Sequence, residues 1–201
     1  MAKAIDHAKR KHMIVEESLK LFATVGYSHV NIGMVAKSCG LSRTLLYTYF
    51  KDKREIFNEA IREVTGQVAA KYDEVLAMEA LSADEKLKSV TSTVFTVMFS
   101  NRDFVCVIAD VLSGYRRKGA VPVDRVSAHT DGLRHIFSRL LSEAVVRGEY
   151  RANLDVEGVT ALLYSQYEAA ALRIAVTGNA VLGECVKGVF ALLDSFRVNG
   201  G

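Results

Sequence analysis

Proline occurs once in 201 residues, as Pro122, and no long polar or low-complexity tract interrupts the chain. A sequence so poor in helix breakers can be helical throughout, and without an extended polar segment it has no place for a disordered linker. Strict apolar–polar alternation never persists long enough to propose a sheet. No apolar run reaches the length of a membrane span, and the first twelve residues, MAKAIDHAKRKH, are polar where a secretory leader needs an apolar stretch. The expectation is a soluble, cytoplasmic protein with no membrane partner. Cysteine is scarce and odd in number: Cys39, Cys106 and Cys185 lie far apart, which supplies neither a disulfide framework nor a zinc knuckle.

Signatures of catalysis are missing as well. The segment Gly178-Asn179-Ala180-Val181-Leu182-Gly183 has the glycine spacing of a phosphate loop, but Glu184 and Cys185 stand where Lys and Ser or Thr are required. A carboxylate there repels phosphate. Asp131 and His135, four apart, could supply half a metal site, yet no second pair is evident, and a solvated i, i+4 pair is the simpler reading. His7, His12, His29 and His129 have no neighbouring ligand pattern. Cys39 falls on the buried side of a turn, so a structural thiol is its default role and a redox switch the alternative. No catalytic residue, metal or cofactor is expected.

Half of the residues are hydrophobic, enough to bury a substantial core in one or two domains. The net charge of +3 says little by itself, but its distribution is uneven. Residues 1–53 carry nine Lys or Arg against four Asp or Glu, a net +5, which leaves −2 for the remainder. A basic end on a mildly acidic body is the footprint expected when only that end meets phosphates. Lys3 to Lys11 alone could be a solvated tail, whereas Arg43, Lys51 and Lys53 cluster around one segment.

That segment, NIGMVAKSCGLSRTLLYTYFKDKREIF from Asn31 to Phe57, carries the functional signal. Ile32, Val35, Ala36 and Cys39 form the apolar stripe of a short helix entered through Asn31, a good N-cap. Gly40 ends it, because glycine takes a left-handed backbone without steric cost. Ser42 caps a second short helix in which Leu45, Leu46, Tyr49 and Phe50 are mostly the buried side. This leaves Ser42, Arg43, Thr44 and Tyr47 at the N-terminal end and outer face, the end that reaches base edges in a helix-turn-helix. A helical corner of a plain bundle is the alternative. Against it stand two unusually short helices held between an amphipathic helix ending in LFATVGY and a long one starting at KDKREIF.

The run from Leu21 to Phe57 resembles the DNA-binding domain of the TetR (tetracycline-repressor) family of transcriptional regulators. The residues that carry the resemblance are Leu21, Phe22, Gly26 and Tyr27, then Val35 and Ala36, then Gly40-Leu41-Ser42, and finally Tyr47, Tyr49, Phe50, Lys53 and Ile56. They cover about a quarter of the chain. The resemblance implies that the start of the recognition helix, the Tyr47 and Tyr49 hydroxyls and Lys53 touch DNA. Asn31 stands where the family usually has Thr, Thr44 where a small residue is common, and Leu45 where Thr, Ser or Ala is common. The expected DNA-binding set is therefore Asn31, Ser42, Arg43, Thr44, Tyr47, Tyr49 and Lys53.

Beyond Phe57 the sequence reads as a helical body. Phe57, Ala60, Ile61, Val64, Val68, Tyr72 and Val75 continue one stripe along a long fourth helix, whose start at Asp52-Lys53-Arg54-Glu55 has capping-box form. Ser82 to Glu85 repeats that signal for a fifth helix; a sixth closes at Gly114; a seventh starts at Pro122 and stops at Gly148. Two more span about Asp155 to Thr177 and Ala180 to Arg197. On the first of these, Val159, Leu162, Leu163, Gln166, Tyr167, Ala170, Ala171 and Ile174 occupy one side, while the other side is also largely apolar. A helix apolar around most of its circumference is buried on both sides, either as a central core helix or inward on its domain and outward on a partner; the broad apolar face of the terminal helix (Leu182, Cys185, Val186, Val189, Phe190 and Leu193) favours the second, a homodimer through the last two helices across a two-fold axis.

The body also holds an aromatic and Met-containing set: Phe95, Met98, Phe99, Phe104, Tyr115, Phe137, Tyr164 and Tyr167. Plain core and a ligand pocket explain it equally well. The family resemblance implies a small molecule bound among these helices. Arg134, Glu168 and Asp110 could offer it a charge of either sign.

These readings converge on an all-α protein. A three-helix helix-turn-helix DNA-binding domain (residues 1–52) is joined by the long fourth helix to a helical effector-binding and dimerisation domain (residues 53–201). The expected function is a homodimeric repressor released from a palindromic double-stranded operator by a small-molecule effector. An architectural DNA binder without an effector, and a helical enzyme on the same fold, are the alternatives.

Overall fold

The computed structural model describes residues 2–118 and 124–198; Pro122 lies outside them. Among the described residues there are nine α-helices: α1 (Ala2–Val25), α2 (Ile32–Ser38), α3 (Arg43–Tyr47), α4 (Lys53–Ala77), α5 (Ala83–Ser100), α6 (Arg102–Lys118), α7 (Asp124–Val146), α8 (Val156–Val176) and α9 (Leu182–Asp194). No strand is found among them, only an isolated antiparallel bridge between Tyr150 and Arg197. None of these helices is long and apolar enough to cross a membrane.

Local chemistry sets most boundaries. The Asn31 side chain accepts from the N–H groups of Gly33 (2.9 Å) and Met34 (3.1 Å), which opens α2. Gly40, at φ +65°, closes it: the Leu41 N–H bonds Ala36 O (2.8 Å) and the Gly40 N–H bonds Lys37 O (3.2 Å), the paired pattern of a Schellman turn. Gly148 closes α7 in the same way. At α5 the Ser82 and Glu85 side chains each accept from the other's backbone N–H, a complete capping box. At α4 the exchange is offset: Asp52 accepts from the Glu55 N–H, but Glu55 accepts from the N–H of Lys51. Helix α6 runs past Gly114 to Lys118, beyond the expected stop. One interior glycine costs a helix only about 1 kcal/mol, less than tertiary packing supplies.

The chain divides into two compact units. The first comprises α1, α2, α3, α4 as far as Val64, and α6. Ile14, Val15, Phe22, Val35, Leu46 and Ile56 form its centre, all essentially inaccessible to solvent. Helix α1 packs on α2 and α6, and Asp110 on α6 accepts from the Tyr27 N–H (2.9 Å). The first half of α4 is tied to α1 by Lys11–Glu59 (3.2 Å) and His12–Glu63 (2.9 Å). These ties group α6 and half of α4 with the helix-turn-helix, a wider unit than residues 1–52. The basic stretch from Lys3 to Lys11 is part of α1 and not a tail.

The second unit holds the rest of α4 with α5, α7, α8 and α9. Helix α5 packs on α7, α8 and α9. A buried polar knot fastens its start to the turn after α7. Glu149 accepts from the N–H groups of Ala83 (3.1 Å) and Asp84 (2.8 Å), Tyr150 donates to Asp84 (2.6 Å), and Lys88 donates to the same carboxylate (3.0 Å). Burial first, and the Asp84 carboxylate second, raise the Tyr150 phenol far above its ordinary value, so it remains a donor.

Candidate nucleic-acid interface

The interface is built on α3, five residues entered through Ser42, whose Oγ accepts from the Leu45 N–H (3.1 Å). Leu46 is fully buried and Phe50 nearly so, which anchors one side of the helix to the core. Ser42, Arg43 and Thr44 are exposed, as is Tyr47 at 49%. Arg43 lies across Gly33, its Nε 3.6 Å from where a Cβ would stand on that glycine. A guanidinium held at the mouth of a short helix can present two donors to one guanine edge.

Three residues are placed differently from the sequence expectation. Leu45 is not on the buried side: it is 37% exposed, beside fully buried Leu46. Adjacent residues on a helix point about 100° apart, so a single buried face this narrow takes only one of them. Leu45 is thereby a further apolar group on the outer face, outside the expected DNA-binding set. Tyr49 lies past the end of α3, half-buried, with its ring stacked on that of His7 (centroids 4.6 Å apart). Lys53 departs furthest. Its ammonium donates to the carbonyls of Tyr27 (2.6 Å), Ser28 (3.2 Å) and Val30 (2.7 Å) and lies 4.7 Å from the centre of the Tyr27 ring. Those bonds occupy the ammonium's three donors and pin the loop before α2 to the start of α4. Backbone N–H groups around the start of α4 are partly engaged too, since those of Lys51 and Glu55 bond carboxylates.

A family model described as "Bacterial regulatory proteins, tetR family" matches residues 14–60, the end of α1 through the first turns of α4. Residues 14–60 thus form a TetR-type DNA-binding domain. It is 26% identical over 143 residues to the fatty acid metabolism regulator protein of Bacillus subtilis, an alignment covering 71% of this chain and 72% of that one. It is 25% identical over 150 residues to the transcriptional repressor KstR2 of Mycolicibacterium smegmatis, covering 75% and 72%. The fold matches a solved structure of the ketosteroid transcriptional regulator KstR2 of Mycobacterium tuberculosis at a TM-score of 0.76 and 16% identity, over 94% of this chain and 96% of that one. This regulator is a DNA-binding transcription factor.

In the second unit the aromatic set is only partly assembled. Phe95 and Phe137, both fully buried, flank Tyr167: the Phe95 ring is 4.5 Å from it, tilted, and the Phe137 ring 5.6 Å, stacked. Met98 and Phe99 are half-buried on α5, and the half-buried ring of Tyr164 carries the Arg134 guanidinium 4.4 Å from its centre. Phe104 and Tyr115 lie on α6, which belongs to the first unit; the Tyr115 side chain is outside the described residues. A pocket of about 150 Å³ opens between α5, α8 and α9, lined by Phe95, Gln166, Ala169, Arg173, Glu184 and Cys185. Of the expected ligand residues only Phe95 borders it. Asp110, considered as a charge for the ligand, is committed to the Tyr27 N–H.

Leu162 and Gln166, grouped with the buried side of α8 in the sequence, are exposed. The buried line is Val159, Leu163, Tyr167, Ala170 and Ile174, while Leu162 (41% exposed), Leu172 (62%) and Val176 (70%) form a second, solvent-facing apolar line. Burial raises the thiols of Cys39, Cys106 and Cys185, so each is held as the unreactive thiol. Among the described residues no three His, Cys, Asp or Glu side chains gather as metal donors.

Proposed function

We propose that the chain is a homodimeric repressor that leaves a palindromic operator when its second unit binds a small apolar molecule. The observation that carries this reading is the brevity of the reading surface. A five-residue helix exposing Ser42, Arg43, Thr44 and Tyr47 spans only a few base pairs, so useful specificity requires two copies of it. The exposed apolar line on α8 supports a second copy as the partner, because Leu162, Leu172 and Val176 gain by leaving water. Phosphate anchoring falls to the exposed Lys37 and Lys51 and to the Tyr47 hydroxyl, since Lys53 is committed to backbone carbonyls.

The effector class is suggested by the apolar, aromatic interior of the second unit. It agrees with relatives named for fatty acid metabolism and for ketosteroids. Selection of bound duplexes from a random pool tests the DNA half of the proposal. Two-fold symmetric sites with half-sites about one helical turn (~34 Å) or more apart are expected. Recovery of featureless sequences, or a DNA-bound species of one 22.1 kDa chain, contradicts it.

A further inference from the structure

Three hydroxyls are buried in the second unit with no hydrogen-bond partner: those of Tyr72 on α4, Thr91 on α5 and Tyr167 on α8. Their residues are 4%, 0% and 5% exposed, so bulk water does not reach them. The three are near one another. Thr91 lies one turn before Phe95 on the buried face of α5, and the Phe95 ring is 4.5 Å from that of Tyr167, whose own nearness raises the cost of ionising Tyr72. A folded chain keeps few buried polar groups unpaired, because each loses its hydration and receives nothing in return. Three on three helices are an open hydrogen-bonding demand.

We infer that the hydroxyls of Tyr72, Thr91 and Tyr167 are the polar recognition end of the effector site, and that they select an uncharged oxygen function (alcohol, ketone or ester) on an apolar skeleton. This rests on the reading of the second unit as an effector domain and names the chemistry it accepts. The surroundings set the sign. The buried charged side chains of this unit among the described residues are Asp84, committed to Tyr150 and Lys88, and Lys86, which donates to Leu76 O. No buried cation therefore stands at the hydroxyls for a carboxylate, and Arg173, which lines the neighbouring pocket, is half-exposed and faces Glu184 at 3.8 Å, so a carboxylate buried among the hydroxyls is left unpaired at a cost. Burial also raises the Tyr72 and Tyr167 phenols far above their ordinary value, so both remain neutral donors. A cavity of mixed lining, apolar at Phe95 and Ala169 and polar at Gln166, Arg173 and Glu184, lies on the other side of Phe95. The Phe95 ring lies tilted 4.5 Å from that of Tyr167 and also lines the pocket between α5, α8 and α9, so this one side chain is what stands between pocket and hydroxyls.

Calorimetric titration of the full chain with 1-decanol, methyl decanoate and decanoate tests the inference. The two neutral probes should bind at least about tenfold more tightly than the carboxylate, because only they leave no buried charge unpaired. In the double variant Tyr72→Phe/Tyr167→Phe that preference should vanish. Without ligand, Tyr167→Phe and Thr91→Val should each leave the melting temperature unchanged or raised, since each removes an unpaired polar atom and keeps the shape. Equal or tighter binding of decanoate, discrimination that survives the double variant, no binding of any probe, or a lowered melting temperature in both single variants overturns the inference. The regulator reading is judged separately: probes that bind as expected but leave operator binding untouched sink effector control and spare the hydroxyl site.

Discussion

Arg43 and Lys53 are both cations beside the recognition helix, and the structure gives them different work. Arg43 is exposed at the first turn of α3, whereas the Lys53 ammonium is fixed to the carbonyls of Tyr27, Ser28 and Val30. Arg43→Ala should therefore cost about 1–3 kcal/mol at selected sites and relax specificity there while leaving the melting temperature alone. Lys53→Ala should lower stability by about 1–3 kcal/mol, because charge-assisted bonds are lost and carbonyls left unpaired. Chemical denaturation alongside DNA binding at several salt concentrations separates the two. Undiminished stability of Lys53→Ala with a flattened salt dependence would return Lys53 to the phosphate. The sequence made Arg43, Thr44 and Tyr47 legible because exposure at the start and on the outer face of a short capped helix follows from local pattern alone. The fate of Lys53 was not, since its partners lie more than twenty residues away.

At the scale of elements, what could be read in advance was whatever a few neighbouring residues decide. The Asn31 cap, the Gly40 turn, the Ser82–Glu85 box and the buried stripe of α4 all belong to this kind. Helix α6 did not stop at Gly114, and Leu45 turned outward beside Leu46, because tertiary packing settled both. So did the attachment of α4 to α1, which has a titratable part. Hydrogen bonding to Glu63 is the main cause that raises His12 above its ordinary value; desolvation opposes it and the charges of Glu63 and Glu16 assist. A group whose folded value is raised stabilises fully below its unfolded value, about 6.5, and that stabilisation is lost as pH rises through the folded value. Thermal melts of the full chain and of His12→Gln should differ at about pH 6 and converge at about pH 8, by a small amount because the His12 ring is half-exposed and surface pairs contribute little. A gap that widens toward alkaline pH contradicts this tie.

For the whole molecule, control of DNA by an effector requires that two ligands bind different populations of one chain. Helix α4 is the covalent element common to both compact units, contributing Lys53 to Val64 to the first and Thr65 to Ala77 to the second. A molecule bound in the second unit can weaken operator binding only by preferring a state that holds DNA poorly, and the size of the effect is limited by that preference. Loss of fit at either half-site forfeits the advantage of bivalent attachment, so a modest preference is enough. Thermodynamic linkage then fixes the reverse effect: operator must weaken effector binding by the same factor with which effector weakens operator binding, typically about 5–150-fold. Titration of a bound neutral probe in the presence and absence of a selected operator duplex measures one side, and titration of the duplex with and without the probe measures the other. Equal factors above one establish coupling between the units. Probe affinities unchanged by operator would leave the second unit as a dimerisation body and the helix-turn-helix as a constitutive DNA binder.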